Sequence, residues 1–212
     1  RLFVTMRRTL LKYLDEIEKS PTTVYFLSTL SLHCFTNEYV YFESAEESQQ
    51  VNDLELEIRV SMRQEKQPRL LNVLSFATYR PLHQYDWCQK LEVLNNLREV
   101  KERLIEQPLA EMVIREEIPV LGTISNEISL KVREQYEENP YPRWVKLAIP
   151  INTKPVSKIC DEVELRLHSE NIKEVSAPEI LIAGCGTGQH SIVTATRFLD
   201  SQVTAVDLSL SS

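Results

Sequence analysis

Glycine is scarce in this chain: at a usage of about 7% some fifteen would be expected among 212 residues, and only four occur. Three of the four, Gly184, Gly186 and Gly188, fall within five positions of one another. Long apolar runs are also missing. The most apolar stretch, Val24 to Phe35, is interrupted by Ser28, Thr29, Ser31 and His33. It falls short of the roughly 18 consecutive apolar residues that a membrane span requires, so a soluble protein with no membrane partner is expected. No basic run is longer than Arg7 and Arg8, and 24 basic against 31 acidic residues leave a net charge of -7. Such a surface repels phosphate backbones, which argues against nucleic acid as a partner. The four cysteines, Cys34, Cys88, Cys160 and Cys185, form no CxxC or Cys/His spacing. Structural zinc and a disulfide framework are therefore not expected, and a reducing cytoplasm is the simplest compartment. No signal peptide is legible, although the chain begins with Arg1 and not Met.

What is present is globular: 42% apolar and 26% charged residues, with a mean hydropathy of -0.26. The first two thirds read as successive helices. Leu10, Leu14 and Ile17 follow helical spacing, and Pro21 with Thr22 closes that segment and opens the next. Residues 22–43 are apolar all round, which predicts a buried central helix. Further helices are expected over 54–63, 69–79 and 87–106, the last with Leu91, Leu94, Leu97, Val100 and Leu104 on one stripe. Pro108 suits the first turn of another, running to about Glu117. A last helix spans 125–138. No repeat of fixed period is legible. The expectation is an all-α domain over 1–138.

At Asn139-Pro140-Tyr141-Pro142-Arg143-Trp144 two prolines at alternate positions end the helix and impose an extended strap. Residues 139–178 are read as this strap plus a short helix at 157–168. After Pro178 the pattern changes. Residues 179–183 and 202–206 are short β-type runs, and 189–199 between them has helical spacing, so 179–212 reads as one βαβ unit.

A strand that turns into a helix through glycines lets backbone N–H groups and the positive helix end approach a ligand. Asp207 closes the second strand roughly twenty residues after Gly184, where a carboxylate can accept both hydroxyls of a ribose. A βαβ unit with a tight turn and no ligand is the plain alternative. No Gly-Lys-Ser/Thr follows the glycines, so a P-loop is excluded. In Gly184-Cys185-Gly186-Thr187-Gly188-Gln189 the third glycine stands one position early for a dinucleotide fingerprint.

These residues resemble the first motif of the class I S-adenosylmethionine-dependent methyltransferases, in which strand one runs into Gly-Cys-Gly-Thr-Gly and strand two ends in an acidic residue. The stretch Val132-Arg133-Glu134-Gln135-Tyr136-Glu137-Glu138-Asn139-Pro140-Tyr141-Pro142-Arg143-Trp144, followed by Ile180 to Gln189, is similar to bacterial methyltransferases that carry tetratricopeptide repeats ahead of the catalytic domain. The resemblance covers roughly residues 125–212. It implies the start of a Rossmann-type methyltransferase domain behind a mainly α N-terminal domain, with S-adenosylmethionine as cofactor and a methyl acceptor, protein or glycan, as substrate. It also implies that Gly184, Cys185, Gly186, Thr187, Gly188, Gln189 and Asp207 bind the cofactor, with Tyr136, Tyr141, Arg143 and His190 as further contacts at its methionine end. Two departures stand out. Relatives of the class often carry an acidic residue two positions before the first glycine, where this chain has Ile182. The chain also ends at Ser212, directly after the second strand, so a fragment that binds cofactor weakly and turns nothing over is expected.

Plainer readings stand beside these. Cys185 occupies a turn that needs a small side chain and has no evident His/Asp partner to make it a nucleophile. The strap aromatics could pin the strap to the helical domain, with Arg143 meeting Glu137 or Glu138. His33 and Cys34 read as core, and Glu43, Glu46 and Glu47 as a solvated helix junction. The rival for the whole chain is a non-enzymatic helical interaction module with a structural βαβ tail, whose exposed sheet edge would support a homodimer.

Overall fold

The computed structural model describes residues 1–138 and 142–211, and its contacts divide the chain into two compact units, Arg1–Pro119 and Val120–Ser212. The first is helical. It contains α1 (Leu2–Lys12), α2 (Pro21–Thr36), α3 (Ala45–Arg63) and α4 (Leu70–Phe76). After three short 3-10 turns, α5 (Arg98–Lys101) runs through a π-helical turn at Glu102–Glu106 into α6 (Gln107–Glu117). The core joins Leu27, Phe35, Val51, Ile58, Leu74, Phe76, Leu94 and Leu104 across these elements. Among the described residues no helix is long and apolar enough to cross a membrane.

Helix α2 begins as expected, with the Ser20 hydroxyl accepting from Thr23 N at 3.1 Å and Pro21 in the first turn. It ends at Thr36 and not at Glu43. Glu38 and Tyr39 adopt positive φ, and Tyr39 N reaches back to Cys34 O at 3.0 Å, a Schellman-type closure that stops the helix although the apolar sequence continues. Helix α3 begins nine residues ahead of the expected Leu54, because Ser44 and Glu47 form a capping box. The helix expected over 87–106 forms only from Arg98. Residues before it make 3-10 turns at Cys88–Lys90 and Glu92–Leu94. Leu91, Leu94 and Leu97 recur every third position, a period that 3-10 turns satisfy as well as an α-helix does. Pro108 lies within a continuous rod instead of opening a separate helix. Its missing N–H falls next to the π turn, where the regular bonding pattern is already shifted.

Glu47 is not solvated: it is 2% exposed and accepts from Ser44 N, Arg8 Nη2 and the Tyr79 hydroxyl, each at 2.9 Å. Glu43 is held by two short bonds from Arg80, at 2.6 and 2.7 Å. Arg7, 1% exposed, donates to Phe42 O and Tyr41 O and stacks its guanidinium over Tyr79 at 4.1 Å. Cys34 is fully buried, and burial pushes its thiol up to about 11. His33 meets the Tyr41 hydroxyl at 2.6 Å. All four cysteines are free.

The second unit contains α7 (Glu127–Glu138), α8 (Val156–Glu162), β1 (Glu179–Ala183), α9 (Gln189–Arg197) and β2 (Gln202–Val206). Asn126 opens α7 by accepting from Ile128 N and Ser129 N. Strands β1 and β2 are parallel, in register from Glu179 opposite Gln202 to Ala183 opposite Val206, with α9 as the connection. Lys154 exchanges backbone bonds with Arg197 O and Leu199 N, which ties the segment before α8 to the end of α9. The fold is thus mainly α with a short two-stranded parallel sheet near the C-terminus.

Candidate functional site

The glycine bend joins β1 to α9 and is built largely by backbone. Gly184 N and Cys185 N both donate to Val206 O, at 2.8 and 3.1 Å, extending the β1–β2 pairing past Ala183. Gly188 N closes the turn on Cys185 O at 3.2 Å and serves as the N-cap of α9. Gly184, Gly186 and Gly188 have φ of 74°, 52° and 86°. In that region an L side chain costs about 1–2 kcal/mol per residue. A Cβ built on any of the three meets nothing within 4 Å, so conformation and not crowding demands glycine, and the space before the bend is open.

Asp207 follows β2 immediately and turns its carboxylate into the bend. Its Oδ2 accepts from Gly186 N at 2.8 Å and its Oδ1 from Ser209 N at 3.1 Å. Each carboxylate oxygen has two lone pairs, so both can accept a further donor. The adjacent first turn of α9 presents the amides of Gln189, His190 and Ser191, which have no intrahelical acceptor, at the positive end of the helix dipole. The Ser191 hydroxyl is buried there without a hydrogen-bond partner among the described residues. Burial pushes the half-buried Cys185 thiol up and the Asp207 charge pushes it further, against a backbone hydrogen bond. The thiol therefore stays protonated at neutral pH, which suits a turn residue and not a nucleophile.

The structure thus brings six consecutive candidates, Gly184 to Gln189, together with Asp207. The Thr187 side chain is bonded to the strap. Its hydroxyl donates to Pro142 O at 2.9 Å and accepts from the Trp144 indole N–H at 2.7 Å. Tyr136 sits on α7, 43% exposed, and His190 is exposed on α9. No hydrogen bond among the described residues ties either to the bend. Arg143 is half-buried in the strap, and Tyr141 lies outside the described residues.

Two participants, Trp144 and Ser209, have no role in the sequence reading, and a third, Glu137, figures there only as a partner for Arg143. Trp144 anchors the strap to Thr187, and its signal was available, since an indole N–H normally finds an acceptor. Ser209 supports Asp207 through its amide. Glu137 on α7 accepts from Leu210 N at 2.6 Å and from the Ser211 hydroxyl, holding the chain just past Asp207. Nothing in the sequence pattern points to that pairing. Among the described residues no group of three or more His, Cys, Asp or Glu could hold a metal ion. Comparison with protein-family models, with curated proteins and with solved structures found no match to this chain.

Proposed function

We propose that the bend at Gly184–Gly188, the start of α9 and Asp207 form the S-adenosylmethionine site of a class I methyltransferase, and that the βαβ unit is the beginning of its Rossmann-type domain. The observation that carries this reading is the Asp207 carboxylate, which reaches the bend from the neighbouring strand and bonds Gly186 N at 2.8 Å. The residues fit the cofactor. Asp207 retains acceptor capacity for the ribose hydroxyls, and the glycines leave open space where a side chain would otherwise stand. Gln189 and His190, through their first-turn amides, suit a carboxylate. Bound there, S-adenosylmethionine supplies the methyl group as an electrophile on its sulfonium. The chain's own contribution is binding and orientation. The acceptor class proposed is a protein or a glycan, in a reducing compartment such as the cytoplasm.

Isothermal titration of this chain with S-adenosylhomocysteine tests the reading. Binding that Asp207→Ala weakens by about tenfold or more, roughly 1.4 kcal/mol, supports it. Absence of heat at saturating ligand, with the chain folded by circular dichroism, overturns it. A second reading is favoured by one observation. Among the described residues the sheet has two strands, so each presents an unpaired edge, and Leu181 on β1 is 68% exposed on a face of that sheet. A non-enzymatic interaction module that pairs through this edge, as a homodimer, would show no ligand heat and concentration-dependent association.

A further inference from the structure

The Thr187 hydroxyl uses both of its hydrogen-bonding roles on one segment, Pro142 to Trp144, which lies more than forty positions earlier in the chain. Thr187 also stands between two left-handed glycines, Gly186 and Gly188. At that place the backbone has little steric preference of its own, since residues without Cβ flank it. The short bonds within the bend, Gly188 N to Cys185 O and Gly186 N to Asp207, fix its two sides but leave the Thr187 side chain to be set from outside. Trp144 sets it. The indole is 40% exposed, so its packing is incomplete and the N–H bond to Thr187 is its specific tether.

We propose that Trp144 and Thr187 are positioning residues: the strap clamps the glycine bend through the Thr187 hydroxyl and so holds the amides of Gly186 to Gln189 in the arrangement that a ligand meets. The consequence for cofactor affinity rests on the methyltransferase reading, whereas the clamp itself does not. The strap supplies pre-organisation, because a bend already held in one conformation loses less entropy when a ligand binds. Thr187 acts through the strap, so it contributes orientation without touching the ligand through its hydroxyl.

The test uses the full chain labelled with ¹⁵N, in which Trp87 and Trp144 give two indole cross-peaks and Trp144→Phe assigns them. Thr187→Val is expected to move the Trp144 indole peak and speed its exchange while leaving the Trp87 peak in place. Thr187→Ser, which keeps the hydroxyl, is expected to restore it. In both Trp144→Phe and Thr187→Val the hydrogen-bonded amides of Gly186 and Gly188 should exchange faster, by about 2–10-fold for the loss of one net hydrogen bond. Affinity for S-adenosylhomocysteine should fall by the same range, with an unchanged urea midpoint for the first unit. An unmoved Trp144 peak in Thr187→Val, or unchanged bend exchange in Trp144→Phe, overturns the clamp. If the exchange responds while no variant binds S-adenosylhomocysteine, the clamp stands and the cofactor reading falls. If the chain binds and both variants bind equally well, the positioning role is overturned.

Discussion

Glu47 and Glu43 are the residues whose surroundings depart furthest from what their sequence positions suggest. Burial opposes the charge of Glu47, but bonds from Arg8, Ser44 and Tyr79 outweigh it and hold the carboxyl below its ordinary value of 4.5. Arg80 does the same for Glu43, against burial. A carboxylate whose folded value lies below its unfolded value stabilises the protein above the unfolded value, and that contribution is lost as pH falls through the folded one. Urea midpoints of the first unit should therefore be flat near neutrality and drop below pH 4.5. Glu43→Gln should start lower and drop less. A midpoint that rises on acidification, or a variant with the native slope, would contradict the ion-pair account. The capping box Ser44-x-x-Glu47 is a local pattern, yet the sequence reading starts this helix at Leu54 and misses it, and the burial of Glu47 has no local pattern at all. That burial depends on Arg8 and Tyr79, which lie 39 and 32 residues away. The place of Asp207 was legible, because the short β-type run before it ends there and a parallel pairing brings that end beside the glycine bend.

Among elements, the rod from Arg98 to Glu117 combines opposite environments. Leu104, in its π turn, is fully buried in the core, while Ile114 near its end is 57% exposed. Leu104→Ala should cost about 2–5 kcal/mol in chemical denaturation, and Ile114→Ala should stay within about 0.5 kcal/mol. Equal costs would mean that the rod packs differently from this arrangement. The strands β1 and β2 match the sequence reading to the residue, because Pro178, the glycines and Asp207 delimit two short β-branched runs. The segment 87–97 did not, since a three-residue spacing of leucines serves 3-10 and α geometry alike. The end of α2 was hidden because Glu38 and Tyr39 are not residues that usually mark a left-handed stop.

At the scale of the molecule, the two units differ sharply in what they bury. The first gathers more than twenty apolar side chains into one cluster, whereas buried hydrophobics in the second are Val156, Ile159, Cys160 and Ile182 among the described residues. Apolar burial is the main favourable term in folding, so the second unit should open at lower denaturant. Each unit holds one tryptophan, Trp87 in the first and Trp144 in the second. With 5-fluorotryptophan incorporated, the Trp144 resonance should change at lower urea than that of Trp87. Coincident transitions would show a single cooperative block.

The left-handed bend leaves one more consequence. Because an added methyl at Gly184, Gly186 or Gly188 would meet only open space, and yet would sit on a backbone of the wrong hand for it, the site discriminates by chirality and not by bulk. Saturation mutagenesis of these three codons should thus rank alanine little better than leucine, and a mirror-image residue would be the natural substitute.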